Sequence, residues 1–301
     1  MYTLKQYFNN RFGKRVYKIC VDAGFTCPNR DGTKGVGGCS YCNNDAFSGI
    51  RKLQTSDQSL LSIESQIEKG KSQLMKRYRA EAFLLYFQPF SNTYASPDAL
   101  KKVYDYVYYD KDIVGLSVGT RPDCISEKIL DLLESYSKDK EVWIEYGLES
   151  SHERTLQLIN RGHSYDDFIR AVDMTAKRPI KMCVHLIFGL PGEEYSDMIA
   201  TMKKIAVLPV HAVKFHPLYI VRGTILYERW KAHEQGIRLM ELNEYVQIIC
   251  DAVELLPATM IIQRLTGEAA SDLLVAPEWI RQKNEVLNLI HAELKKRIHH
   301  D

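Results

Sequence analysis

From about residue 14 to 225 the chain alternates short β-branched and aromatic runs with amphipathic helical stretches, and this alternation constrains the fold more than any other feature. The runs at 15–21, 82–87, 113–118, 142–148, 180–188 and 212–220 have the length and composition of strands. Between them, Ser96-Pro97 opens a helix with Leu100, Val103, Tyr104 and Val107 on one face. Ser126 opens another, and Ser196 precedes Met198, Ile199, Met202 and Ile205 at helical spacing. A further helix after Ser56-Asp57 turns Leu60, Ile63, Ile67 and Leu74 inward. Strands separated by helices fold as right-handed parallel βαβ units, in an open sheet or a barrel. In both, chemistry gathers at the C-terminal ends of the strands. Those ends carry Gln88-Pro89-Phe90-Ser91-Asn92, Gly119-Thr120-Arg121-Pro122-Asp123, Glu149-Ser150 and Gly189-Leu190-Pro191-Gly192-Glu193.

After Gly223 the pattern changes to helices at 225–235 and 242–256, a strand at 260–265 and a basic helix at 281–299. No linker or repeat sets this tail apart. The division expected is a core at 1–225 and a mostly helical extension at 226–301 packed on it.

Three cysteines, Cys27, Cys39 and Cys42, share the loop Cys27-Pro28-Asn29-Arg30-Asp31-Gly32-Thr33-Lys34-Gly35-Val36-Gly37-Gly38-Cys39-Ser40-Tyr41-Cys42. Its glycines let the backbone fold back so that the three sulfurs can converge. Three thiolates can hold three irons of a 4Fe-4S cluster and leave the fourth iron open to a ligand. Other chemistries fit the same spacing. Cys39-Ser40-Tyr41-Cys42 alone suits a redox pair or half a zinc site, and Cys20 added to the three closes a four-thiolate zinc site. Against zinc, Cys20 sits in a strand-like run, where a cysteine more often packs than ligates. Cys124, Cys183 and Cys250 are scattered and read as core thiols, with no disulfide framework.

With 301 residues, 45% of them hydrophobic, the chain can bury a substantial core in one large domain or two ordinary ones. A formal net charge of +2 is too mild to announce nucleic-acid binding by itself. The N-terminus lacks an apolar signal region, and no apolar run approaches the roughly 20 residues that span a bilayer. Seven cysteines without even pairing fit a reducing compartment. The expectation is a cytoplasmic protein without membrane contact.

The cysteine loop and the strand-end blocks resemble the radical S-adenosylmethionine (SAM) enzymes, and among them the YtqA/YhcC-like family. The resemblance rests on Cys27 to Gly35, on Tyr86-Phe87-Gln88 with Asn92-Thr93-Tyr94, and on Arg264-Leu265-Thr266-Gly267. It implies an α/β fold, a partial TIM-type barrel of about six βα units with a helical C-terminal appendage. Its cofactors are a 4Fe-4S cluster on Cys27, Cys39 and Cys42, and SAM. Four more blocks are similar to the catalytic subunit of the elongator complex, a radical SAM enzyme of the tRNA wobble uridine. They are Thr120-Arg121-Pro122-Asp123, Asn160-Arg161-Gly162-His163, Lys181 with His185, and Lys214-Phe215-His216-Pro217 continuing into Val221-Arg222-Gly223-Thr224. The cysteine spacing here is longer and the acetyltransferase module is absent, so chemistry with acetyl-CoA is not implied. The YtqA-like branch is associated instead with trimming 5-carboxymethylaminomethyl(-2-thio)uridine to 5-aminomethyl(-2-thio)uridine. Rival readings are a radical SAM enzyme of a small metabolite or peptide, and a zinc-stabilised RNA-binding protein without catalysis.

The resemblance also implies roles. Tyr41 would lie against adenine, or merely pack the loop. Gln88 and Asn92 would meet the methionyl ammonium, or cap a turn. Glu149 would accept from the ribose hydroxyls, or serve as a helix N-terminal carboxylate. Arg161 offers a bidentate fork to the SAM carboxylate, its alternative being a surface arginine. Lys181, His185 and Lys214 would point from strands into the barrel as catalytic candidates, Lys214 gripping an anionic group of the substrate with Arg222 in reserve. A strand histidine is more often a satisfied core residue, and a buried lysine needs a partner. Implied partners are the anticodon loop of tRNA, a flavodoxin- or ferredoxin-type electron donor and a downstream tRNA methyltransferase. Basic runs at Lys69, Lys71, Lys76, Arg77 and Arg79, and at Lys295, Lys296, Arg297, His299 and His300, are candidates for phosphate contacts. Tyr94, Tyr219 and Trp279 are candidate stackers for a splayed base.

Overall fold

The alternation resolves into a curled parallel half-barrel, seen in a computed structural model that describes residues 1–47 and 60–298. The helix start at Ser56-Asp57 and the residues His299 and His300 lie outside the described residues. The strands are β1 (Tyr2–Thr3), β2 (Val16–Val21), β3 (Ala82–Phe87), β4 (Ile113–Thr120) and β5 (Glu141–Glu149). They continue with β6 (Lys181–Phe188), β7 (Ala212–Pro217), β8 (Ile220–Val221), β9 (Ile261–Arg264) and β10 (Leu274–Ala276). Helices preceding the middle of the chain are α1 (Leu4–Phe12), α2 (Asn44–Phe47), α3 (Ile63–Tyr78), α4 (Pro97–Tyr104) and α5 (Glu127–Tyr136). After them come α6 (Glu153–Leu158), α7 (Tyr165–Ala176), α8 (Tyr195–Ala206), α9 (Ile225–Lys231), α10 (Leu242–Glu254) and α11 (Lys283–Ile298).

Eight strands form one sheet in the order β1-β9-β7-β6-β5-β4-β3-β2. The six expected strands, β2 to β7, are consecutive neighbours. β9, from the tail, pairs in parallel with β7, and β1 pairs with β9 through Tyr2↔Ile261. β8 and β10 form a separate antiparallel pair.

The outer face of the sheet packs on the helices through residues such as Phe87, Leu116, Ile144, Val184 and Phe215. Local chemistry sets the helix starts. Ser96 accepts from the Ala99 N–H at 3.3 Å and Ser126 from the Ile129 N–H at 3.4 Å, as their position before apolar runs predicts. One start differs from expectation: α8 begins at Tyr195, because the Asp197 carboxylate reaches back to the Glu194 N–H at 2.9 Å. α3 starts after Ser62, so Leu60 precedes the helix and is exposed, whereas Ile67 is fully buried. Gly70 lets α3 close on β2, since a Cβ there would stand 2.6 Å from Ile19.

The inner face is layered. At the N-terminal ends of the strands Val16, Leu84, Trp143, Cys183, Ala212 and Ile261 meet Phe8 and the partly buried Leu4, Tyr7 and Phe12 of α1. That helix plugs the bottom of the half-barrel. Two residues further along the strands the inward positions become Lys18, Tyr86, Ser117, Glu145, His185 and Lys214. An apolar floor beneath a polar layer places the chemistry at the C-terminal ends of the strands.

Candidate active site

The cysteine loop runs from the end of β2 across the mouth of the half-barrel. Gly37 and Gly38, at φ of +83° and +84°, adopt backbone that only glycine takes at little cost. The loop is tied to the segment after α6 by main-chain and amide bonds. The Ser40 N–H donates to the Ile159 carbonyl at 2.8 Å, Asn29 Nδ2 to the Asn160 carbonyl at 2.6 Å, and Asn160 Nδ2 to the Gly38 carbonyl at 2.8 Å. Arg121 adds a second tier: Nη1 donates to the Arg161 carbonyl at 2.6 Å, and its other edge forks onto the buried Asp123. Lys34, from the loop, closes on the same Asp123 at 2.6 Å. The blocks 120–123 and 160–163 therefore clamp the loop from beneath.

Cys27, Cys39 and Cys42 are free thiols lining one cavity of about 210 Å³. Arg161 Nη1 stands 3.4 Å from the Cys39 sulfur, and Arg30 donates to the Cys42 carbonyl at 2.9 Å. Burial together with the neighbouring Cys39 pushes the Cys42 thiol up to about 11, a push that a bound cationic centre reverses. Cys20 points elsewhere, donating to Gln88 Oε1 at 3.4 Å from the inner face of β2.

Around the thiols lie the residues expected to hold a cofactor. Arg161 is buried, donates to the Gly147 carbonyl at 2.5 Å and lies 3.4 Å from Glu149 Oε1, while its Nε has no partner among the described residues. Glu149 has a φ of +72°, a strained conformation for a residue with a side chain, at a register shift between β5 and β6. Burial raises its carboxyl although Arg161 opposes the change. Tyr41 and Gln88 also line the cavity. Asn92 does not: it is fully buried, and its Nδ2 donates to the carbonyls of Phe87, Pro89 and Gly119 at 3.0, 2.8 and 3.0 Å, bracketing the turn after β3. Three open thiols, an unpartnered guanidinium nitrogen and a buried carboxyl together fit a thiolate-bound cluster and a polar, zwitterionic ligand.

Below this rim sits a polar knot centred on Glu145, a residue sequence reasoning missed. Its carboxylate, fully buried, accepts from Ser117 Oγ at 2.5 Å and pairs with His185 Nε2 at 2.7 Å. It also takes the ammonium groups of both Lys18 and Lys214. Burial pushes Glu145 up, but the two ammoniums and His185 more than reverse it, holding the carboxyl well below its usual range. Burial brings Lys214 down to about 8 despite Glu145, and burial with Lys214 brings His185 down to about 4. Lys214 also donates to Tyr86 OH at 3.1 Å, and Lys18 to Gln263 Oε1 at 2.7 Å. Glu145, Cys183 and His185 come within metal-ligating reach of one another, yet two ammoniums already neutralise the carboxylate. The missed signal was parity: Glu145 shares its strand face with Trp143, as Lys18 does with Val16.

Of the remaining candidates, most lie away from the cavity. Lys181 opens β6 at the plugged end, its ammonium 5.6 Å from the Tyr7 ring. Arg77 and Arg79 end α3 beside the start of β2, at that same end. Arg297 is shared by Asp251, Glu254 and Glu293. Trp279 is buried against Tyr245 and donates to the Met240 carbonyl at 3.0 Å. Tyr219 lines the cavity, and Tyr94 meets Thr33 of the cysteine loop at 2.8 Å. Arg222 is exposed on the segment after β8. Among the described residues no helix is long and apolar enough to cross a membrane.

Comparison with known proteins agrees with this arrangement. The profile of the Radical SAM superfamily matches residues 27–205, and that of the Radical_SAM C-terminal domain matches 210–296. Protein YtqA of Bacillus subtilis (strain 168) is 35% identical over 297 residues, which is 98% of this chain and 90% of that protein. A tRNA uridine(34) acetyltransferase of Methanocaldococcus infernus is 28% identical over 187 residues, covering 61% of this chain and 34% of its own. The structure of archaeal Methanocaldococcus infernus Elp3, with an N-terminal deletion, shares the fold at a TM-score of 0.66 and 19% identity, over 94% of this chain and 63% of that one.

Proposed function

The chain belongs to the radical SAM superfamily, and we propose that it trims the wobble uridine of tRNA, converting 5-carboxymethylaminomethyl(-2-thio)uridine to its 5-aminomethyl form. It is a radical SAM enzyme, and enzymes of this superfamily use a 4Fe-4S cluster and SAM. In this reading Cys27, Cys39 and Cys42 hold the cluster, Arg161 and Glu149 hold the carboxylate and ribose of SAM, and Tyr41 and Gln88 line its remaining contour. Asn92 would act by fixing the turn that carries Gln88. When bound, the two cofactors supply a 5′-deoxyadenosyl radical that removes one hydrogen atom from the substrate.

The observation that carries the substrate assignment is the charge of the inner cavity. Lys214 and Arg264 line its floor with Lys18 behind them on Glu145, set against that fully buried carboxylate, while the exposed Glu268 at the edge is paired with Lys283. His185 stays neutral at physiological pH, so the floor is net cationic and suits an anionic substituent. The tRNA uridine(34) acetyltransferase relative supports the wobble position. The overall change would be two-electron oxidation of the carboxymethyl C–H beside the secondary amine to an imine, balanced by reductive cleavage of SAM to methionine and 5′-deoxyadenosine, then hydrolysis to the primary amine and glyoxylate. A flavodoxin- or ferredoxin-type protein would supply the priming electron, which oxidation of the substrate radical would return. A tRNA methyltransferase acting on primary amines would take the product. The working unit would be the core at 1–225 with its extension at 226–301, acting in the cytoplasm.

The test is nucleoside analysis of tRNA from a strain lacking this gene and any redundant one. The 5-carboxymethylaminomethyl nucleoside should accumulate and the 5-aminomethyl form disappear. Unaltered wobble nucleosides would refute the assignment.

A further inference from the structure

Lys214, the residue whose position first suggests an anion grip, already has its ammonium engaged by Glu145 and Tyr86. Arg264 beside it does not. The guanidinium lines the same cavity, is partly exposed, and has neither a hydrogen bond nor an ion pair among the described residues.

A break in strand register puts it there. In β9 Ile261 packs on the inner floor, Ile262 on the outer core, and Gln263 inward on Lys18. Strict alternation would send Arg264 outward, into apolar packing. Between β7 and β9, however, Val213 pairs with Ile262 and Lys214 with Arg264, leaving Gln263 without an opposite residue. Such bulges re-aim a side chain and recur beside active sites. Here two consecutive polar residues turn inward, Gln263 onto Lys18 and Arg264 into the cavity lining.

The backbone around Arg264 is fixed. Tyr245 OH donates to the Leu265 carbonyl at 2.7 Å, Leu265 and Thr266 are buried, and a Cβ on Gly267 would come 2.8 Å from the Tyr219 ring. A rigid frame holding one unspent guanidinium is a preorganised receptor for a planar anion.

Building on the wobble-uridine reading, we infer that Arg264 is the specificity-determining residue that grips the carboxylate of the base substituent, with Lys214 and Glu145 fixing the field behind it. A substituent lacking the carboxylate forfeits the grip.

The test compares binding of two tRNAs that differ only in the wobble base, one with 5-carboxymethylaminomethyluridine and one with 5-aminomethyluridine, to reconstituted wild-type enzyme and to Arg264→Gln. Wild type should prefer the carboxylate-bearing tRNA roughly tenfold to a hundredfold, the span of a charge-assisted contact. Arg264→Gln should bind both equally while keeping full iron content and SAM affinity, and Arg264→Lys should recover part of the preference. A variant that retains the wild-type preference overturns the inference. An equal loss for both tRNAs overturns it by assigning Arg264 to a phosphate, and loss of SAM affinity by assigning it to the cofactor. If wild type converts the nucleoside but Arg264→Gln keeps its preference, this inference alone falls. If wild type leaves wobble nucleosides unaltered, the underlying reading falls with it.

Discussion

The two walls of the cavity are held in opposite ways. The cofactor wall, made of the cysteine loop and the segments after β4 and β5, is tied through backbone groups: carbonyls of Gly38, Ile159, Asn160 and Arg161 accept the clamping bonds. The opposite wall, on β7 and β9, is a parallel ladder with one register break, and it meets the cavity through side chains. A wall fixed through its backbone can leave its thiols free. A wall fixed as a ladder can exchange side chains without moving. On the proposed reading the first would hold the cofactors and the second would select the substrate.

The sharpest way to break this contrast is at the thiols. Replacing Cys27, Cys39 or Cys42 by Ala should abolish the iron–sulfur absorption while far-ultraviolet circular dichroism stays close to wild type, because the loop is clamped without its sulfurs. Cys20→Ala should keep the colour, since that thiol faces Gln88. Colourless Cys20→Ala protein would revive a four-thiolate site.

The next largest effect should come from the knot between the walls. Glu145→Gln leaves the Lys18 and Lys214 ammoniums facing a neutral amide in a buried site, and breaking such a pair costs about 3–5 kcal/mol. Urea unfolding at neutral pH reads this directly. Because the native carboxyl lies below its ordinary value of 4.5, its contribution is complete above that pH and lost as pH falls below it. The gap between wild type and Glu145→Gln should therefore narrow in acid. A variant as stable as wild type at neutral pH would show that the knot contributes nothing to folding.

Smaller effects should sharpen the cofactor wall. Arg161→Ala and Glu149→Ala should each weaken SAM binding by roughly tenfold to a hundredfold, with iron retained, if each provides one charge-assisted contact. Calorimetry on the reconstituted protein measures it. Unchanged affinity in both would move the SAM site away from Arg161.

The wall that carries the cysteine loop was legible as a cluster because its residues are contiguous: a cysteine loop, then short blocks at strand ends, which the structure brings to one cavity. The core strands were legible for the same reason, their apolar runs being local. The opposite wall was legible only in part: Lys214 and His185 stood out in the sequence, but Glu145 and the aim of Arg264 did not. Glu145 is one glutamate inside a strand, and only its parity with Trp143, set against Lys18 and Lys214 on distant strands, marks it. The inward turn of Arg264 depends on a register break between strands nearly fifty residues apart in sequence, which no local pattern encodes. Asn92 was assigned from its place at a strand end, where a buried amide can as readily bind three carbonyls as a ligand.

The pairing of Tyr2 with Ile261 carries a consequence for biosynthesis. The opening strand waits for a partner synthesised near the other end of the chain, and β9 bridges it to β7. During translation the cysteine loop and its clamps can assemble while Gln263 and Arg264 are still unmade. The half that carries the cysteine loop can thus fold before β9 exists, and long-range closure of this kind is slow. On the proposed reading, a chain in which β9 has not yet closed on β7 would carry the cluster ligands without Arg264, the residue inferred to select the substrate.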